Sequence, residues 1–404
     1  MASGTRRRWT TADSLANIPI ANRVKAMTKG FPHWQQTPLY DHHSLLRARI
    51  GDVEGWKLPV AYGSQIEEHH TVREDAGMFD MSHMCVVDLH GPDVRMVLGR
   101  LLANDIGKLK TPGKALYSCM LNMSGGVIDD LIVYYLGEQH FRAVLNARTA
   151  AVDIEWIRAK IVEAKGQVTV VPRRQDWVTE EVEPLAVIAV QGPKAREKVF
   201  RAIPAARRAE KLKPFNSTIV HDPEFGELMV ARTGKTGEDG FELLPLARHA
   251  GRIWDMLRSA GIDPVGHEAW DTLRLEAGVH RNGKDMDHHT SPLDAGLGWS
   301  VDLDSDRDFF GKSAVCARRQ TQQFVGLALE GSAAVPPAHS TVTDEGGAVI
   351  GKVTSATYSP TLRIAIALAR VAPEITIGSH VNVQVYRNKI AARVVRTPFV
   401  RSGS

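Results

Sequence analysis

The sequence predicts an α+β protein in which a large body of helices and strands is followed by a C-terminal antiparallel β-barrel. Three observations support this fold class. The chain has 404 residues, which is enough for two or three domains. Long helical stretches and hairpin-like pairs of β-branched runs alternate up to about residue 305. From residue 324 to residue 399 the pattern changes to short strands at regular spacing, separated by Gly and Pro turns, which is typical of a small barrel.

The composition is that of an ordinary globular protein, with 43% apolar and 24% charged residues. A net charge of +4 over this length does not favour nucleic acid as a partner, and no run of 18 apolar residues is present to span a membrane. The three cysteines stand apart without a CxxC pair, so they predict neither a disulfide framework nor a zinc site. These features fit a reducing compartment, and we expect a cytoplasmic protein.

Residues 1–34 differ from the rest because six Arg or Lys residues stand there against a single acid, Asp13. Two explanations stay open: a basic, disordered leader, or an organelle transit peptide that would direct the protein to mitochondria. Since this segment has no strong amphipathic run, we expect it to be dispensable for folding and activity.

The helices and strands of the body are predicted from the periodicity of the hydrophobic residues and from the Gly and Pro residues that interrupt it. Helices are predicted at residues 42–49, 66–74, 92–102, 152–163, 247–260 and 269–278. Strands are predicted at residues 85–89, 113–121, 127–135, 141–147, 167–171, 185–190 and 228–232. Gly55 and Pro59 predict a turn region between them, and residues 302–323 are the candidate linker to the barrel, open to proteases.

Three pairs of adjacent histidines suggest metal binding at first sight, at residues 42–43, 69–70 and 288–289. Neighbours in sequence point to different sides of a helix, and no HxxxH spacing is present to bring two imidazoles to one ion. We therefore interpret Glu68, His69 and their neighbours as a solvated helix face, and we predict no metal site.

The most informative stretch is the strand predicted at residues 127–135, which follows a turn at Gly125 and Gly126. Apolar residues occupy both of its faces, so the strand should be largely buried, yet it carries Asp129 and Asp130. Burying an unpaired carboxylate costs several kcal/mol, so an inward-facing aspartate needs a partner or a use. The alternative is that both aspartates lie at the mouth of the strand, bonded to the turn or to water.

The strand at residues 141–147 returns after a short turn and forms a hairpin with it. Asp129 and Asp130 then face opposite sides of the sheet. Whether Asn146 faces one or the other depends on the length of the loop, because a slip of one residue exchanges the two faces. The sequence leaves both arrangements open.

Six short motifs follow one another along the chain at residues 75–84, 113–117, 125–131, 191–193, 271–278 and 359–362. Together they resemble the aminomethyltransferase (T-protein) of the glycine cleavage system, most closely its bacterial form. The resemblance covers about residues 36–401. Each motif is weak alone, but the ordered set is highly specific.

The resemblance implies a three-lobed folate-binding body at residues 35–305 and a C-terminal β-barrel at residues 324–401. It implies an enzyme that moves an aminomethyl carbon from the lipoyl arm of a carrier, the H-protein, to tetrahydrofolate, with release of ammonia. Folate is then the acceptor substrate, and neither a metal nor a nucleotide takes part.

The family's key carboxylate matches Asp130, with Asp129 beside it. A fixed, desolvated carboxylate next to the pterin stabilises the positive charge that develops as N5 attacks the methylene carbon. The other folate contacts that the resemblance implies by matching motif are Met84, Tyr117, Tyr134, Asn146 and Glu242, and further candidate contacts are Lys235, Trp270 and Arg401. For Tyr117 and Tyr134, plain strand packing with a hydroxyl at the rim is the alternative.

Several family positions are altered where the ligand should lie. Lys235 stands where a stacking tyrosine is usual, and Trp270 replaces an arginine. In the barrel, Arg363 replaces a glycine, and a Ser-Gly turn has become Ser355-Ala356, which costs about 1 kcal/mol or more wherever the backbone needs a positive φ. Stacking and charge would then have exchanged places between positions 235 and 270.

Three functions remain open at this point. The first is an aminomethyltransferase with altered folate contacts. The second is a folate-dependent relative with another one-carbon donor, such as a methoxy or methylthio group. The third is a paralogue that keeps the fold without turnover.

Overall fold

The computed structural model describes residues 35–401 apart from residues 178, 180, 181 and 332, so the leader expected at residues 1–34 lies outside the described residues. The described strands, in chain order, are β1 Gln35–Gln36, β2 Arg49–Val53, β3 Trp56–Ala61, β4 Gly77–Asp80, β5 Cys85–His90, β6 Ala115–Leu121, β7 Val127–Gly137, β8 His140–Leu145, β9 Thr169–Pro172, β10 Ile188–Gln191, β11 Ser217–Asp222, β12 Gly226–Ala231, β13 Gly240–Pro245, β14 Asp263–Pro264, β15 Gln323–Leu329, β16 Thr341–Thr343, β17 Val349–Ser359, β18 Ile364–Val371, β19 His380–Val385 and β20 Asn388–Val395. The described α-helices are α1 Tyr40–Leu45, α2 Gln65–Glu74, α3 Val94–Leu101, α4 Ala150–Glu163, α5 Ala195–Ala202, α6 Ala250–Ser259, α7 His267–Glu276 and α8 Lys312–Ala317. None of these helices is long and apolar enough to cross a bilayer.

Two sheets with their own helices form two lobes of the body. The first is a five-stranded antiparallel sheet in the order β6-β7-β8-β5-β9, which packs on α3 and α4. The second is a six-stranded sheet in the order β11-β12-β13-β10-β4-β14, which packs on α5 and α6. Each helix buries residues at helical spacing, as in α3, where Val94, Val97, Leu98 and Leu101 share one face.

A third apolar cluster joins the two sheets at the centre of the molecule. It draws Phe79 from β4, Tyr134 from β7, Ala189 from β10 and Trp270 from α7. Because it contains residues from both sheets, side chains that reach this region can converge on one ligand.

The third lobe is a closed barrel of six strands in the order β15-β18-β17-β16-β19-β20. Its interior is filled with small and β-branched side chains, and Ile366 and Leu368 pack outward against Leu275 at the end of α7. The predicted α+β class and the C-terminal barrel are thus confirmed, and the three lobes are formed by the two body sheets and the barrel itself. The division of the chain into units at residues 35–305 and 324–401 stays a prediction.

Part of the segment predicted as a linker, residues 302–323, is packed against the body. Phe309 and Val315 are 2% and 1% exposed and share a cluster with Cys119 of β6 and Val127 of β7. Arg307 donates hydrogen bonds to the carbonyl oxygens of Leu102 and Ala103 at 3.0 and 2.7 Å. Residues 309–315 are therefore largely packed, whereas residues 316–321 are exposed, and the accessibility of the segment to proteases stays a prediction.

The start of the body also differs from the prediction. The expected helix at residues 42–49 ends after α1, because Arg47 takes a positive φ of 55° and the chain then enters β2. The turn region expected around Pro59 is strand β3, which pairs with β2 and buries Trp56 and Leu58. The sharp reversal comes earlier, at Glu54 and Gly55, where φ is 55° and 90°.

Helix α2 is placed as predicted, but its face is not solvated at Glu68 and His69. The Glu68 carboxylate accepts backbone N–H bonds from Tyr62, Gly63 and Gly266. His69 is fully buried, and its ring bonds the Thr272 hydroxyl at 2.7 Å. The sequence pattern misses this because the partners of His69 lie some two hundred residues away along the chain.

The two altered barrel positions behave differently. Arg363 has φ of 57°, so it occupies the left-handed conformation that favours glycine, as expected. Ser355 and Ala356 are not in a turn: they lie within β17, paired with Leu368 and Ala367, next to an irregularity in the register. The expected cost at Ala356 is therefore absent.

Candidate active site

The central cavity lies where the two body sheets meet. It contains about 580 Å³ of space free of atoms, part of it open to solvent. Most of its walls are apolar side chains from β4, β7, β8 and β10. The lining residues are Phe79, Met81, Met84, Tyr117, Asp130, Leu131, Ile132, Val144, Val187, Ala189, Gln191, Lys235, Thr236, Glu242 and Trp270.

The turn that leads into β7 requires both of its glycines. Gly125 has a positive φ of 76°, and a Cβ at Gly126 would lie 1.9 Å from the carbonyl oxygen of His288. Because of this close approach, the start of β7 packs against the chain at His288. Asp129 and Asp130 are the third and fourth residues of β7, and both lie in the core. The predicted burial of this strand is confirmed.

Asp130 is the carboxylate that faces the cavity, and it is 4% exposed. It accepts a hydrogen bond from the Tyr117 hydroxyl at 3.0 Å and one from the Asn146 side-chain amide at 3.1 Å. Burial and the negative charge of Asp130 raise the pKa of Tyr117 well above its usual value, so this hydroxyl stays a donor. Both donors are neutral, and the charge of Asp130 is left to act on a ligand.

Asp129 points away from the cavity and is fully buried. It accepts the backbone N–H of Asn146 at 3.1 Å and its side-chain amide at 2.7 Å. The hairpin pairs Ile132 with Val144, and this register continues to place Asn146 opposite Asp130. Asn146 therefore contacts both carboxylates, which the sequence could not resolve. Burial and the charge of Asp130 raise the pKa of Asp129.

The wall opposite Asp130 carries a second acid, Glu242 on β13. It accepts a short hydrogen bond from the Thr233 hydroxyl, which in turn bonds the Tyr134 hydroxyl at 3.0 Å. Burial raises the pKa of Glu242, although Thr233 and the positive charge of Lys235 act in the other direction. Tyr134 is fully buried and does not line the cavity, so it supports Glu242 from behind.

The two altered positions both reach the cavity. Lys235 lies on the loop between β12 and β13, and its ammonium is 3.5 Å from the Asn146 side-chain oxygen Oδ1. Trp270 is 8% exposed and stacks on His267, with ring centroids 4.8 Å apart and planes at 24°. Charge and aromatic surface are therefore both present, at exchanged positions relative to the family pattern.

Of the remaining predicted contacts, Met84 lines the cavity and Arg401 does not. Arg401 is exposed at the end of the described chain, beyond the backbone bonds that Phe399 and Val400 make to Glu276. A folate contact from Arg401 therefore rests on the family resemblance alone.

Three residues near the site were missed from the sequence. Gln191 and the fully buried Asp153 come from segments that look like ordinary strand and helix. Trp299 is 64% exposed and stacks on Tyr117, with ring centroids 5.0 Å apart. No periodic pattern in the sequence marks Trp299. It is recognised only in the structure, as an exposed tryptophan beside the cavity-lining Tyr117.

One group of possible metal ligands occurs in the described part of the chain, namely Asp88, His90 and His140. The Asp88 carboxylate already accepts bonds from the guanidinium groups of Arg142 and Arg173, both at 2.7 Å. Asp88 is the only acid of this group, and two guanidinium groups already neutralise its charge. The group is therefore unsuited to binding a cation.

The site as a whole is a largely apolar slot with an acid on either wall. Such a slot suits a flat heteroaromatic ligand whose ring nitrogens bond the acids, and Asp130 is placed to stabilise positive charge that develops on it. Fold and site together define a group-transfer enzyme for a ligand of this class.

The comparisons with known proteins name the group. A family model described as GCVT N-terminal domain matches residues 39–305, and one described as glycine cleavage T-protein C-terminal barrel domain matches residues 322–401. Aminomethyltransferases of Cupriavidus necator and Ralstonia pickettii are each 54% identical to this chain, over 91% of it and 98% of their own lengths. The crystal structure of glycine cleavage system aminomethyltransferase T from Bartonella henselae has a TM-score of 0.82 and 29% identity, covering 92% of this chain and 99% of that chain.

The chain belongs to the glycine cleavage T-protein family, and the family expected from the sequence is confirmed. Membership makes it a folate-dependent aminomethyltransferase with tetrahydrofolate as a substrate.

Proposed function

We propose that this chain transfers the aminomethyl carbon from the lipoyl arm of an H-protein to tetrahydrofolate inside the central cavity, with Asp130 as the catalytic carboxylate. The observation that carries the proposal is the setting of Asp130, which is 4% exposed, faces the cavity and is held by neutral donors only. The named relatives are bacterial, and on that ground we propose that the reaction takes place in the cytoplasm.

The reaction breaks the carbon–nitrogen and carbon–sulfur bonds of the carried aminomethyl group and joins its carbon to N5 and N10 of the folate. The protons displaced from N5 and N10 go to the departing ammonia and thiolate, so no oxidant or reductant is needed. Positive charge develops at the carbon while ammonia departs. A carboxylate in a slot of low dielectric stabilises that charge more strongly than water does.

The surrounding residues have supporting roles in this proposal. Tyr117 and Asn146 orient the Asp130 carboxylate through the bonds they donate to it. Glu242, on the other wall, accepts N–H groups of the pterin, and its bond from Thr233 fixes its direction. Trp270 offers an aromatic surface for stacking.

Lys235 is the residue whose proposed role differs most from that of the family residue, a stacking tyrosine, at the same position. Its ammonium is near Asn146 and acts on Glu242, so it lies among the polar groups of the cavity. There it can meet a ligand oxygen as a point charge, although without the two-pronged geometry of a guanidinium. We propose that Lys235 and Trp270 share the folate between them.

The proposal is tested with purified protein, tetrahydrofolate and a lipoylated H-protein loaded with the aminomethyl group. Ammonia and methylene-tetrahydrofolate should appear in equal amounts, and Asp130→Asn should abolish most of both. Glu155→Gln, which removes an exposed acid on α4, is the matched control and should behave as wild type.

Two other outcomes would reject the proposal in different ways. If tetrahydrofolate binds but no ammonia is released, the enzyme uses another one-carbon donor. If tetrahydrofolate does not bind, the chain is a paralogue that keeps the fold without the reaction.

A further inference from the structure

Behind the cavity, helix α4 carries an acid that the reaction does not use. Asp153 is fully buried among the apolar residues of α4, beside Ile154 and Ile157. Neither of its carboxyl oxygens receives a hydrogen bond from an N–H or O–H donor in the described part of the chain. An isolated buried carboxylate of this kind would cost several kcal/mol.

The carboxyl group that acts most strongly on Asp153 is that of Asp129, which is close enough to share a hydrogen bond with it when one of the two is protonated. Two carboxylates in contact cannot both be ionised, because each would repel the other in a region without water. One of the two therefore carries a proton, and that proton forms the hydrogen bond between them.

The hydrogen bonds around the pair assign the proton. Both oxygens of Asp129 accept N–H groups of Asn146, at 3.1 and 2.7 Å, and such bonds favour the charged form. Asp153 has no comparable donor. The Thr149 hydroxyl favours its charged form, but the hydrogen bond of this hydroxyl goes to the Asn146 backbone carbonyl oxygen at 3.3 Å and not to Asp153.

We propose that Asp153 is a positioning residue: a neutral carboxylic acid whose O–H group donates to Asp129 and thereby holds the Asn146 amide that orients the Asp130 carboxylate. The donors and acceptors then run in a consistent order. Asp153 donates to Asp129, Asn146 donates to both Asp129 and Asp130, and Tyr117 donates to Asp130.

The charged groups that face the pair are consistent with this assignment. Asp129 and Asp130 are the acids that act on Asp153, and both disfavour its ionisation. Lys235 contacts the Asn146 side-chain oxygen Oδ1, and Asn146 in turn donates its N–H groups to Asp129. Burial, followed by the charge of Asp129, raises the pKa of Asp153 well above its usual value, so the acid stays neutral at working pH.

The first test is spectroscopic and does not depend on the reaction. The infrared difference between wild type and Asp153→Asn at pH 8 should show loss of one C=O stretching band of a protonated carboxylic acid. Glu155→Gln on the same helix is the matched control and should show no such loss. If that band persists in Asp153→Asn, or is lost in Asp129→Asn, the proton belongs to Asp129 and the proposal is wrong.

The second test is kinetic and rests on the proposed function. Asn keeps a donor to Asp129 and the size of the side chain, so Asp153→Asn should hold kcat within about threefold of wild type. Asp153→Leu has no donor and should lower kcat by about tenfold or more while the Kd for tetrahydrofolate changes little.

Equal loss of kcat in both variants would overturn the positioning role, because the donor would then not matter. If wild type releases no ammonia at all, the proposed function fails, and the infrared difference still decides the protonation of Asp153. The two failures are therefore distinguishable, even if Asp153→Leu does not fold.

Discussion

A charge at Asp130 acts more strongly than the same charge in water, because the carboxylate is 4% exposed and lines a mainly apolar cavity. Asp130→Asn keeps the size and part of the hydrogen bonding but removes a charge that matters most in the transition state. We expect kcat to fall by about a hundredfold or more and the affinity for tetrahydrofolate to stay within about tenfold of wild type. Steady-state kinetics and a folate titration measure the two effects.

Asp129→Asn is the comparison for this change, since Asp129 faces away from the cavity and acts through Asn146. Its effect on kcat should be milder than that of Asp130→Asn. Equal losses of kcat would mean that both carboxylates act on the reacting atoms, although they lie on opposite faces of β7.

Lys235 and Trp270 line the same cavity, so their effects on folate binding should depend on each other. We expect the native chain to bind tetrahydrofolate at about micromolar Kd and each single reversion, Lys235→Tyr or Trp270→Arg, to weaken binding. The double reversion should recover it, since non-additivity is expected of residues that share a ligand. Isothermal titration of the four proteins gives the coupling. Poor native binding that improves independently with each reversion would instead indicate a decayed site.

The hairpin between β17 and β18 carries a local strain that can be measured. Arg363 is exposed and has φ of 57°, a conformation that is easy for glycine and costly for other residues. Arg363→Gly is therefore expected to stabilise the protein by about 0.5–1 kcal/mol, seen as a higher Tm.

Leu362→Gly, one residue earlier in the same turn, is the control. Leu362 has no positive φ, so glycine there only adds freedom to the unfolded chain and should lower the Tm. A lower Tm in both variants would show that the turn gains nothing from glycine at position 363.

The hairpin of β7 and β8 illustrates what a sequence can predict. The turn at Gly125 and Gly126 and the alternation of side chains after it place a buried strand correctly. The pairing of Asp130 with Asn146 could not be predicted, because the register changes between Tyr135 and Gly137 and an extra residue there decides which face each side chain takes.

Two other failures have the same kind of cause. Pro59 and Gly55 look like turn residues, but the paired neighbour β2 and the buried ring of Trp56 make this segment a strand. Asp153 looks like a polar residue on an amphipathic helix, and only the position of Asp129 in space reveals its partner. Local pattern identifies elements, whereas these contacts depend on distant parts of the chain.

Across the whole molecule, Glu276 at the end of α7 ties the body to the barrel. Its fully buried carboxylate accepts bonds from Ser359 and Thr361 of the barrel and from Arg73 of α2 at 2.8 Å. Burial alone would raise its pKa, but His69, Ser359 and Arg73 together lower it to about 2.

This lowered pKa makes the contribution of Glu276 depend on pH. The folded state holds the carboxylate charged, whereas the unfolded chain takes up a proton near pH 4.3, so the stabilisation is complete above that value and is lost as the pH falls to about 2. Glu276→Gln should cost on the order of 3 kcal/mol at pH 7 and almost nothing at pH 2. Chemical denaturation at several pH values measures the difference.

Glu74→Gln is the control for this series, because its side chain is 77% exposed and only a partly exposed imidazole lies near it. Its effect on the free energy of unfolding should be small at every pH. A difference between Glu276→Gln and wild type that does not shrink in acid would show that the charge of Glu276 is not what joins the two parts.

The partners of Glu276 also set an order of events during synthesis. Ser359 and Thr361 follow Glu276 by 83 and 85 residues. Helix α7 is therefore synthesised well before the two hydroxyl groups that bond the Glu276 carboxylate. Trp270, on the same helix, lines the central cavity. A nascent chain that lacks the barrel should therefore leave α7 open to protease attack, and the cavity should reach its final shape only after the barrel has been synthesised.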